Sequence, residues 1–414
     1  MWKTHFRCRI GLLSIVLLLG TAAWSQTFQV LHSFNGSDGS EGGNLTWDGP
    51  NHIFGVSFQG GHCTTNQNGC GTVYEMTRTQ GVWKFAVLYR FQGGVDGSSL
   101  ISGVVLDAQK NVYGVTPEGG AFGKGTIFEL SHYAGVWTKT TLYSFGAFSG
   151  DGIYPNYIVI DASGNLFGTT NYGGASGKAC GKGCGAVWEL AQNGTAWTES
   201  LLYSFPEKIG ISPVGIAFDA KGNIYGTTQG GPTATGLGSV FELSPPSVVG
   251  GPWTETTLYS FTGGNDGGDP AAGVILDAAG NLYGTTATGG VHVNGTVFKL
   301  SSNAGGSWTF NVIRAFDFAV DGSDCRAGLA IDASGTIYGT TSAGGNSSSK
   351  SGTVFALAPN GGGTFAEQVL YTFTGGTDGF RPLNGVALDS AGNLYGTTGW
   401  NGEFGHGTLF EITP

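Results

Sequence analysis

Charged residues are scarce in this sequence of 414 residues, and basic residues are the scarcest of all. Asp, Glu, Lys and Arg together make up 11%, less than half of the roughly 25% found in an ordinary soluble domain. Eighteen Lys and Arg stand against 28 Asp and Glu, a formal net charge of −10 at pH 7. Because an acidic surface repels phosphate groups, the composition argues against nucleic acid and anionic lipid as partners.

Sequence motifs of the common enzyme classes are also missing. There is no Gly-x-Ser-x-Gly nucleophile elbow, no His-Glu-x-x-His, no phosphate-binding loop and no dinucleotide fingerprint between a strand and a helix. The Asp-x-Asp-x-Asp-Gly spacing of a dedicated calcium loop is absent too. No local motif therefore predicts an enzymatic reaction or a cofactor.

Long hydrophobic segments are rare, and the most prominent one lies near the N-terminus. The apolar run Ile10–Gly20 has 11 residues, whereas about 20 are needed to span a bilayer. Basic residues precede it and small residues follow it, so residues 1–25 are predicted to be a signal peptide. Cleavage would remove three of the 18 basic residues and no acidic ones, leaving a formal charge of −13. We expect residues 26–414 to be secreted or held in the cell envelope, with no membrane span.

Cysteine is infrequent, and five of the six cysteines follow the predicted signal peptide. Cys63 and Cys70 bracket one loop, Cys180 and Cys184 bracket another, and Cys325 stands alone. Because an exported protein can form disulfides, we predict one local disulfide in each loop. A zinc site with four cysteine ligands is the alternative, although the two pairs belong to different repeats. Cys325 is expected to be buried or a free thiol.

Glycine, in contrast, is abundant, with 77 residues, and it recurs beside aromatic residues. An aromatic-Gly-(Thr/Val)-(Thr/Ser) motif occurs seven times at spacings of 54 to 59 residues, and a Gly-(Thr/Ser/Ala)-(Val/Ile/Leu)-aromatic motif follows each copy. Two independent markers thus agree on seven repeats. The first motif begins at Phe54, Tyr113, Phe167, Tyr225, Tyr283, Tyr338 and Tyr395, and the second at Gly71, Gly125, Gly185, Gly238, Gly295, Gly352 and Gly407.

Each repeat divides into four strand-like segments, called A to D in sequence order. In the fifth repeat, Gly273–Asp277 is nearly continuously apolar, as expected of a strand A that is covered on both faces. Strands B and C follow at Leu282–Thr286 and Gly295–Leu300, and strand D alternates in polarity, as in Trp253–Phe261 of the preceding repeat. Four antiparallel strands in a repeat of this length predict an all-β, seven-bladed β-propeller.

The two ends of residues 26–414 predict how the ring closes. Residues 26–34 have the pattern of a strand D with no A, B or C before it. The last repeat has A, B and C, ending at Ile412, and no D. The N-terminal segment is therefore expected to complete the last blade, which leaves only short sheet edges and one monomeric domain.

The repeat consensus resembles a known family. It reads Leu-Tyr-Ser-Phe, then Gly-Gly-x-Asp-Gly, then Asp-x-x-Gly-Asn-Leu-Tyr-Gly-Thr-Thr, then Gly-Thr-Val-Phe-Glu-Leu. This combination resembles the GloVer-type (Gloeo/Verruco) tandem repeat of exported bacterial proteins over the whole of residues 26–414. The resemblance implies export and a repeat fold, and it implies no particular activity and no catalytic residues.

Antiparallel hairpins place the D-to-A and B-to-C loops on one side of the ring, which we call the loop face. The A-to-B and C-to-D turns lie on the other side, where Asp and Asn suit turn formation. Six D-to-A loops carry an Asp-Gly, whose carboxylates are candidate ligands for Ca²⁺ or a polyhydroxylated molecule, although Asp-Gly also simply forms turns. These aspartates are Asp38, Asp96, Asp151, Asp266, Asp321 and Asp378.

Several residues of the B-to-C loops could carry chemistry on the same face. Histidine binds metals and transfers protons, but His62 and His406 stand nine residues and one residue before the glycine of the second motif, so their positions are not equivalent. Trp400 and Phe404 could stack on a sugar ring, with Glu403 between them. His62, Glu403 and His406 are the candidate catalytic trio, because the first and last blades are neighbours in a closed ring.

The sequence favours a secreted, non-catalytic propeller that binds carbohydrate or protein through the loop face. A propeller hydrolase or lyase with a site on that face is one alternative, and a structural component of the cell envelope is another. Nearly identical blades favour binding or structure, since an enzyme site needs residues that break the symmetry. No organic cofactor is expected, and Ca²⁺ stays open.

Overall fold

A computed structural model of the chain describes residues 26–63, 68–174, 180–194, 196–206, 210–230, 236–248, 250–303 and 305–413. The predicted signal peptide, residues 1–25, lies outside them. The described residues form 28 strands and one 3-10 helix, Gly94–Asp96. The strands make seven antiparallel sheets of four strands each.

Blades are numbered by their first strand, and three of the first four are built from long strands. In blade 1 the strands are β2 Ser40–Trp47, β3 His52–Gln59, β4 Thr72–Thr79 and β5 Val82–Arg90. Blade 2 has β6 Val105–Leu106, β7 Val112–Thr116, β8 Thr126–Tyr133 and β9 Val136–Ser144. Blade 3 has β10 Gly152–Ile160, β11 Leu166–Gly173, β12 Ala186–Asn193 and β13 Ala196–Ser204, and blade 4 has β14 Ile211–Phe218, β15 Ile224–Gly230, β16 Ser239–Ser244 and β17 Thr254–Ser260.

The last three blades have shorter first strands. Blade 5 has β18 Ile275–Leu276, β19 Leu282–Thr286, β20 Thr296–Ser302 and β21 Trp308–Ala315. Blade 6 has β22 Ala330–Ile331, β23 Ile337–Thr341, β24 Thr353–Pro359 and β25 Phe365–Thr372. Blade 7 has β26 Ala387–Leu388, β27 Leu394–Thr397 and β28 Thr408–Thr413, and it is completed by β1 Thr27–Ser33.

These sheets confirm the seven-bladed propeller and the way its ring closes. Strand β1 pairs antiparallel with β28, with Thr27 opposite Thr413 and Ser33 opposite Thr408. Strand A of blade 5 is shorter than the predicted Gly273–Asp277, because Gly273 packs against the backbone of Gly215 in blade 4 and does not pair within its own sheet. First strands of neighbouring blades therefore meet at the centre of the ring.

The glycine of the first motif is required by an aromatic ring of the second motif. In blade 5, Gly284 lies opposite Phe298, and a Cβ on Gly284 would lie 2.5 Å from the Cζ atom of that ring. The two sequence motifs are thus the two sides of one packing contact, which every blade repeats. The other glycine and ring pairs are Gly55 with Tyr74, Gly114 with Phe128, Gly168 with Trp188, Gly226 with Phe241, Gly339 with Phe355 and Gly396 with Phe410.

The two threonines that follow this glycine have different partners. In blade 5, Thr285 donates a hydrogen bond of 3.1 Å to the carbonyl of Ala327 in blade 6. Thr286 shares a bond of 2.8 Å with the hydroxyl of Thr296 on strand C. Both threonines are fully buried, and buried hydroxyls need such partners. The first threonine therefore joins neighbouring blades, and the second joins strands within one blade.

The cysteines have the states that the sequence predicts. Disulfides join Cys63 to Cys70 and Cys180 to Cys184, so the four paired sulfurs are not zinc ligands. Cys325 is a buried free thiol whose sulfur lies 3.2 Å from the carbonyl of Thr340, and burial raises its pKa. Among the described residues, no helix is long and apolar enough to cross a membrane.

Candidate functional site

The D-to-A aspartates lie on the loop face, and groups of their own loops already bind their carboxylates. Asp266 accepts hydrogen bonds from the Tyr259 hydroxyl at 3.0 Å and from the backbone and hydroxyl of Thr262 at 2.8 and 2.6 Å. Burial disfavours its charged form, but these bonds outweigh burial and lower the pKa of Asp266. Burial and the neighbouring carboxylate raise the pKa of Tyr259 to about 12.

The other five aspartates have the same kind of partner on strand D. The pairs are Tyr89 with Asp96, Tyr143 with Asp151, Tyr371 with Asp378, His32 with Asp38 and Arg314 with Asp321. These contacts support the turn interpretation of the Asp-Gly sequences. Across the described ranges, no group of three or more His, Cys, Asp or Glu could hold a metal ion. A direct role in ligand binding stays a prediction.

A ring of strained residues surrounds the mouth of the central channel on the loop face. Where the chain enters each first strand, one non-glycine residue has a positive φ, such as Tyr154 at 58°, a conformation that is uncommon and costly for such residues. Its backbone N–H donates a bond of 2.8 Å to the carbonyl of Lys124 in the preceding blade. The equivalent residues are Glu41, Ser99, Ser212, Asp269, Asp324 and Arg381, with φ from 53° to 66° and the same inter-blade bond at 2.7–3.1 Å.

We call these seven residues the mouth ring. These residues share one backbone conformation but differ in side chain. The positions of the two sequence motifs, in contrast, carry similar side chains in every blade. Strain that is held in place by the surrounding structure is common at binding sites. The sequence carries a faint signal for them, since in six blades the residue is the third after the D-to-A aspartate, but nothing local marks it as special.

At the junction of blades 7 and 1, Trp400 contacts two members of the mouth ring. The Arg381 guanidinium carbon lies 5.2 Å from the centroid of the Trp400 ring, and the Trp400 indole lies beside the Glu41 carboxylate. Burial raises the pKa of Glu41, and the bond from Trp400 offsets this only in part. Among described residues Arg381 has no ion pair, and its Nε is buried without a hydrogen-bond partner. Trp400 thus holds an acid and a base at the mouth, and part of its ring already stacks on Arg381.

On the other side of the mouth, two lysines and two tyrosines form what we call the lysine–tyrosine row. The rings of Tyr154 and Tyr172 meet edge to face, with centroids 5.9 Å apart. The Nζ of Lys124 lies 5.6 Å from the Tyr154 centroid, and the Nζ of Lys182 lies 5.7 Å from the Tyr172 centroid. A cavity of about 260 Å³ adjoins the row and is lined by Tyr172, Lys182 and Ser212 among others.

The candidate catalytic trio has three separate surroundings. Glu403 lines an open cavity of about 630 Å³ together with His32 and Phe404. His406 bonds the Ser40 hydroxyl through Nδ1 at 3.2 Å, and His62 is exposed next to the Cys63–Cys70 disulfide. Neither His62 nor His406 lines this cavity or the one beside the lysine–tyrosine row. Among the described residues, no hydrogen bond or ion pair joins members of the trio.

Exposed aromatic side chains are concentrated on the loop face. Six aromatic residues in the described part of the chain are exposed, and five of them lie in D-to-A loops, in B-to-C loops or at the end of a strand B that leads into such a loop. Those five are Phe122, Phe148, Tyr172, Phe318 and Phe404. The sixth, Tyr133, ends β8 on the opposite face.

Comparisons with known proteins bear on family and fold. A family model described as the Gloeobacter/Verrucomicrobia repeat matches residues 21–182 and 177–410, which confirms the resemblance found in the sequence. No curated protein matches the chain.

Three solved structures with a similar fold belong to larger chains. A puromycin-hydrolyzing peptidase of Mycobacterium tuberculosis has a TM-score of 0.55 at 10% identity, covering 88% of this chain and 50% of that one. The extracellular domain of a putative one-component system from B. thetaiotaomicron has a TM-score of 0.54 at 11% identity, covering 94% of this chain and 42% of that one. An ancestral GH74 enzyme has a TM-score of 0.55 at 13% identity, covering 90% of this chain and 48% of that one. The chain spans half of these proteins or less, and at such identities the likeness shows the fold alone.

Proposed function

The chain belongs to the Gloeobacter/Verrucomicrobia repeat family, and from that premise we propose that it is an exported, non-catalytic propeller that binds carbohydrate through its loop face. The observation that carries the proposal is the concentration of exposed aromatic side chains there, five of the six in the described residues. None of the five belongs to the repeat consensus. Packing of the blades therefore does not explain them.

Carbohydrate fits this surface because a sugar has apolar ring faces and many hydroxyl groups. Binding sites combine aromatic surface with a few fixed polar groups. The mouth ring supplies such groups, among them Glu41, Asp269 and Arg381, on backbone that inter-blade hydrogen bonds hold in place. In this proposal the D-to-A aspartates hold the loops in shape, and a direct contact with Ca²⁺ would make binding depend on that ion.

The surroundings of the candidate trio support binding over hydrolysis or elimination. An acid and a base that act on one substrate must both reach it, directly or through one water. Glu403 lines its cavity without His62 or His406. The acidic composition also argues against a phosphate polymer as the partner.

A glycan array with the purified protein, with and without Ca²⁺, tests the proposal. We expect binding to a defined set of glycans. Substitution to Ser of at least one loop-face aromatic residue, Phe122, Phe148 or Phe404, should weaken that binding by about tenfold or more. Tyr133→Ser on the opposite face is the matched control and should bind like the unaltered protein. Absence of glycan binding in both conditions would overturn the proposal and leave a protein partner or a structural role.

A further inference from the structure

We propose that the lysine–tyrosine row, Lys124, Tyr154, Tyr172 and Lys182, is a subsite for an acidic glycan, a sugar chain that carries carboxylate or sulfate groups. This inference rests on the proposed carbohydrate binding and assigns the part of the loop face that selects for negative charge. It concerns the junction of blades 2, 3 and 4, away from Trp400 and from the candidate catalytic residues.

The row places two tyrosine rings side by side, with a lysine beside each of them. Lys124 lies 5.6 Å from the centroid of Tyr154, Tyr154 lies 5.9 Å from Tyr172, and Lys182 lies 5.7 Å from Tyr172. An acidic glycan offers groups that suit both kinds of side chain, an apolar ring face on each sugar and anionic groups at the sugar edges. Ring faces can stack on the tyrosines while the anions bind the ammonium groups.

Both ammonium groups are available to a ligand. Among the described residues, neither Lys124 nor Lys182 forms an ion pair or a side-chain hydrogen bond, whereas Lys110 and Lys139 bind Asp48 and Asp96. On a chain with 28 acidic and 18 basic residues, these two lysines place two positive charges beside one pair of tyrosine rings. Their contacts with the tyrosine rings are cation–π contacts, which an incoming anion can supplement without displacing them.

The backbone fixes each lysine to its tyrosine. The N–H of Tyr154 donates to the carbonyl of Lys124 at 2.8 Å, and the N–H of Gly173, the residue after Tyr172, donates to the carbonyl of Lys182 at 2.8 Å. Lys182 also lies inside the small loop that the Cys180–Cys184 disulfide closes. A site that is already ordered loses less entropy when a ligand binds. This gives the second disulfide a role in binding as well as in stability.

The adjoining cavity of about 260 Å³ gives the row a polar wall. Asn171 and Ser212 line it beside Tyr172 and Lys182, and their amide and hydroxyl groups can bond sugar hydroxyls. Two lysines are far fewer than the basic stripe that a nucleic acid requires. A sugar chain with spaced anionic groups therefore fits the row better than a phosphate backbone does.

Binding to three polymers tests the inference. Polygalacturonate carries carboxylates, dextran sulfate carries sulfates, and dextran is neutral. We expect the protein to bind at least one acidic polymer and to prefer it to dextran, with binding that weakens as NaCl is raised to about 0.5 M. The double variant Lys124→Gln and Lys182→Gln should bind that polymer about tenfold or more weakly, and Tyr172→Ser should weaken it too. Whichever acidic polymer binds identifies carboxylate or sulfate as the preferred anion.

Lys299→Gln is the matched control, because Lys299 lies 5.3 Å from the centroid of Tyr283 in the same kind of contact but on strand C of blade 5. It should leave polymer binding unchanged, and thermal unfolding should show that all variants are folded. Dextran bound as well as both acidic polymers, or acidic binding unchanged in the lysine double variant, would overturn this inference and leave the proposed function standing. Failure to bind any polymer or any arrayed glycan would overturn both.

Discussion

Strands D of neighbouring blades contact each other along lines that we call seams. The seven seams have the same geometry but differ in the side chain at one position of strand D. Four residues before the strand-D residue that binds the loop aspartate, a side chain reaches over strand D of the preceding blade. In three seams this side chain is an aromatic ring that stacks in parallel on a second ring, with 3.8 Å between the ring centroids. The stacked pairs are Phe28 on Tyr371, Phe85 on His32 and Phe310 on Tyr259.

The other four seams place a charged side chain at the same position. Lys139 binds Asp96 at 2.9 Å, and three carboxylates occupy the remaining positions, Glu199, Glu255 and Glu367. Burial raises the pKa of Glu199 to about 7, with Asp151 adding to the shift. Burial and Asp321 likewise raise the pKa of Glu367 to about 7, against the pull of Arg314.

The same backbone geometry thus occurs with apolar and with charged side chains in the seam. The two kinds of seam differ in the free energy that is needed to remove water from these side chains. When Phe stacks on Tyr, no charged group has to lose its hydration. A half-buried carboxylate must lose part of its hydration or bind a proton. The two seams in which Phe stacks on Tyr should therefore be insensitive to pH near neutrality, while seams with a raised carboxylate pKa should weaken as the pH rises.

The largest expected effect comes from removing a ring from an apolar seam. Phe310→Ala deletes the stack on Tyr259 and leaves a gap between blades 4 and 5, so we expect a loss of about 2–4 kcal/mol in the free energy of unfolding. Urea denaturation measures it. Asn311→Ala, the exposed neighbour on β21, should change stability by less than about 0.5 kcal/mol. Equal losses in the two variants would show that the stack does not hold this seam.

A smaller effect, with a defined pH dependence, is expected from Glu199→Gln. The folded pKa of Glu199, about 7, lies above the ordinary value of 4.5 for a glutamate, so the folded state favours the protonated form. That stabilisation is complete below about pH 4.5 and is lost as the pH rises through about 7. Gln resembles the neutral acid and does not ionise. The variant should match the unaltered protein at pH 4 and exceed its stability by about 1–2 kcal/mol at pH 8.

Denaturation at the two pH values measures this difference. Glu403→Gln, on an exposed loop, is the control and should change stability little at either pH. A Glu199→Gln variant that is no more stable than the unaltered protein at pH 8 would contradict the assignment of the charge penalty to this seam.

The fold could be predicted from the sequence because the same contacts recur in every blade. The contact between a motif glycine and an aromatic ring recurs seven times, as in Gly284 and Phe298, and so it leaves a periodic trace. The unpaired strand at residues 26–34 likewise predicted its pairing with β28. Both features depend on local spacing, which a single sequence displays.

The candidate site was harder to predict because it depends on contacts between blades. Tyr154 and Lys124 are 30 residues apart and are joined by a bond that only the ring geometry creates. The trio of His62, Glu403 and His406 shows the converse, since residues of neighbouring blades share the wide loop face and still have different surroundings. The assignment of the trio to one face follows from topology, and its convergence on one substrate stays a prediction.

The smallest expected effect separates two tyrosines at the same position of strand D. Tyr259 donates to Asp266 at 3.0 Å, whereas Tyr203 is followed by a loop without the Asp-Gly and has no hydroxyl partner among the described residues. Tyr259→Phe should therefore cost about 1 kcal/mol in urea denaturation, the net value of one hydrogen bond to a charged acceptor at a partly exposed site. Tyr203→Phe keeps the same ring and should cost almost nothing. Equal costs would mean that ring packing, and not the bond to the aspartate, determines the stability of strand D at this position.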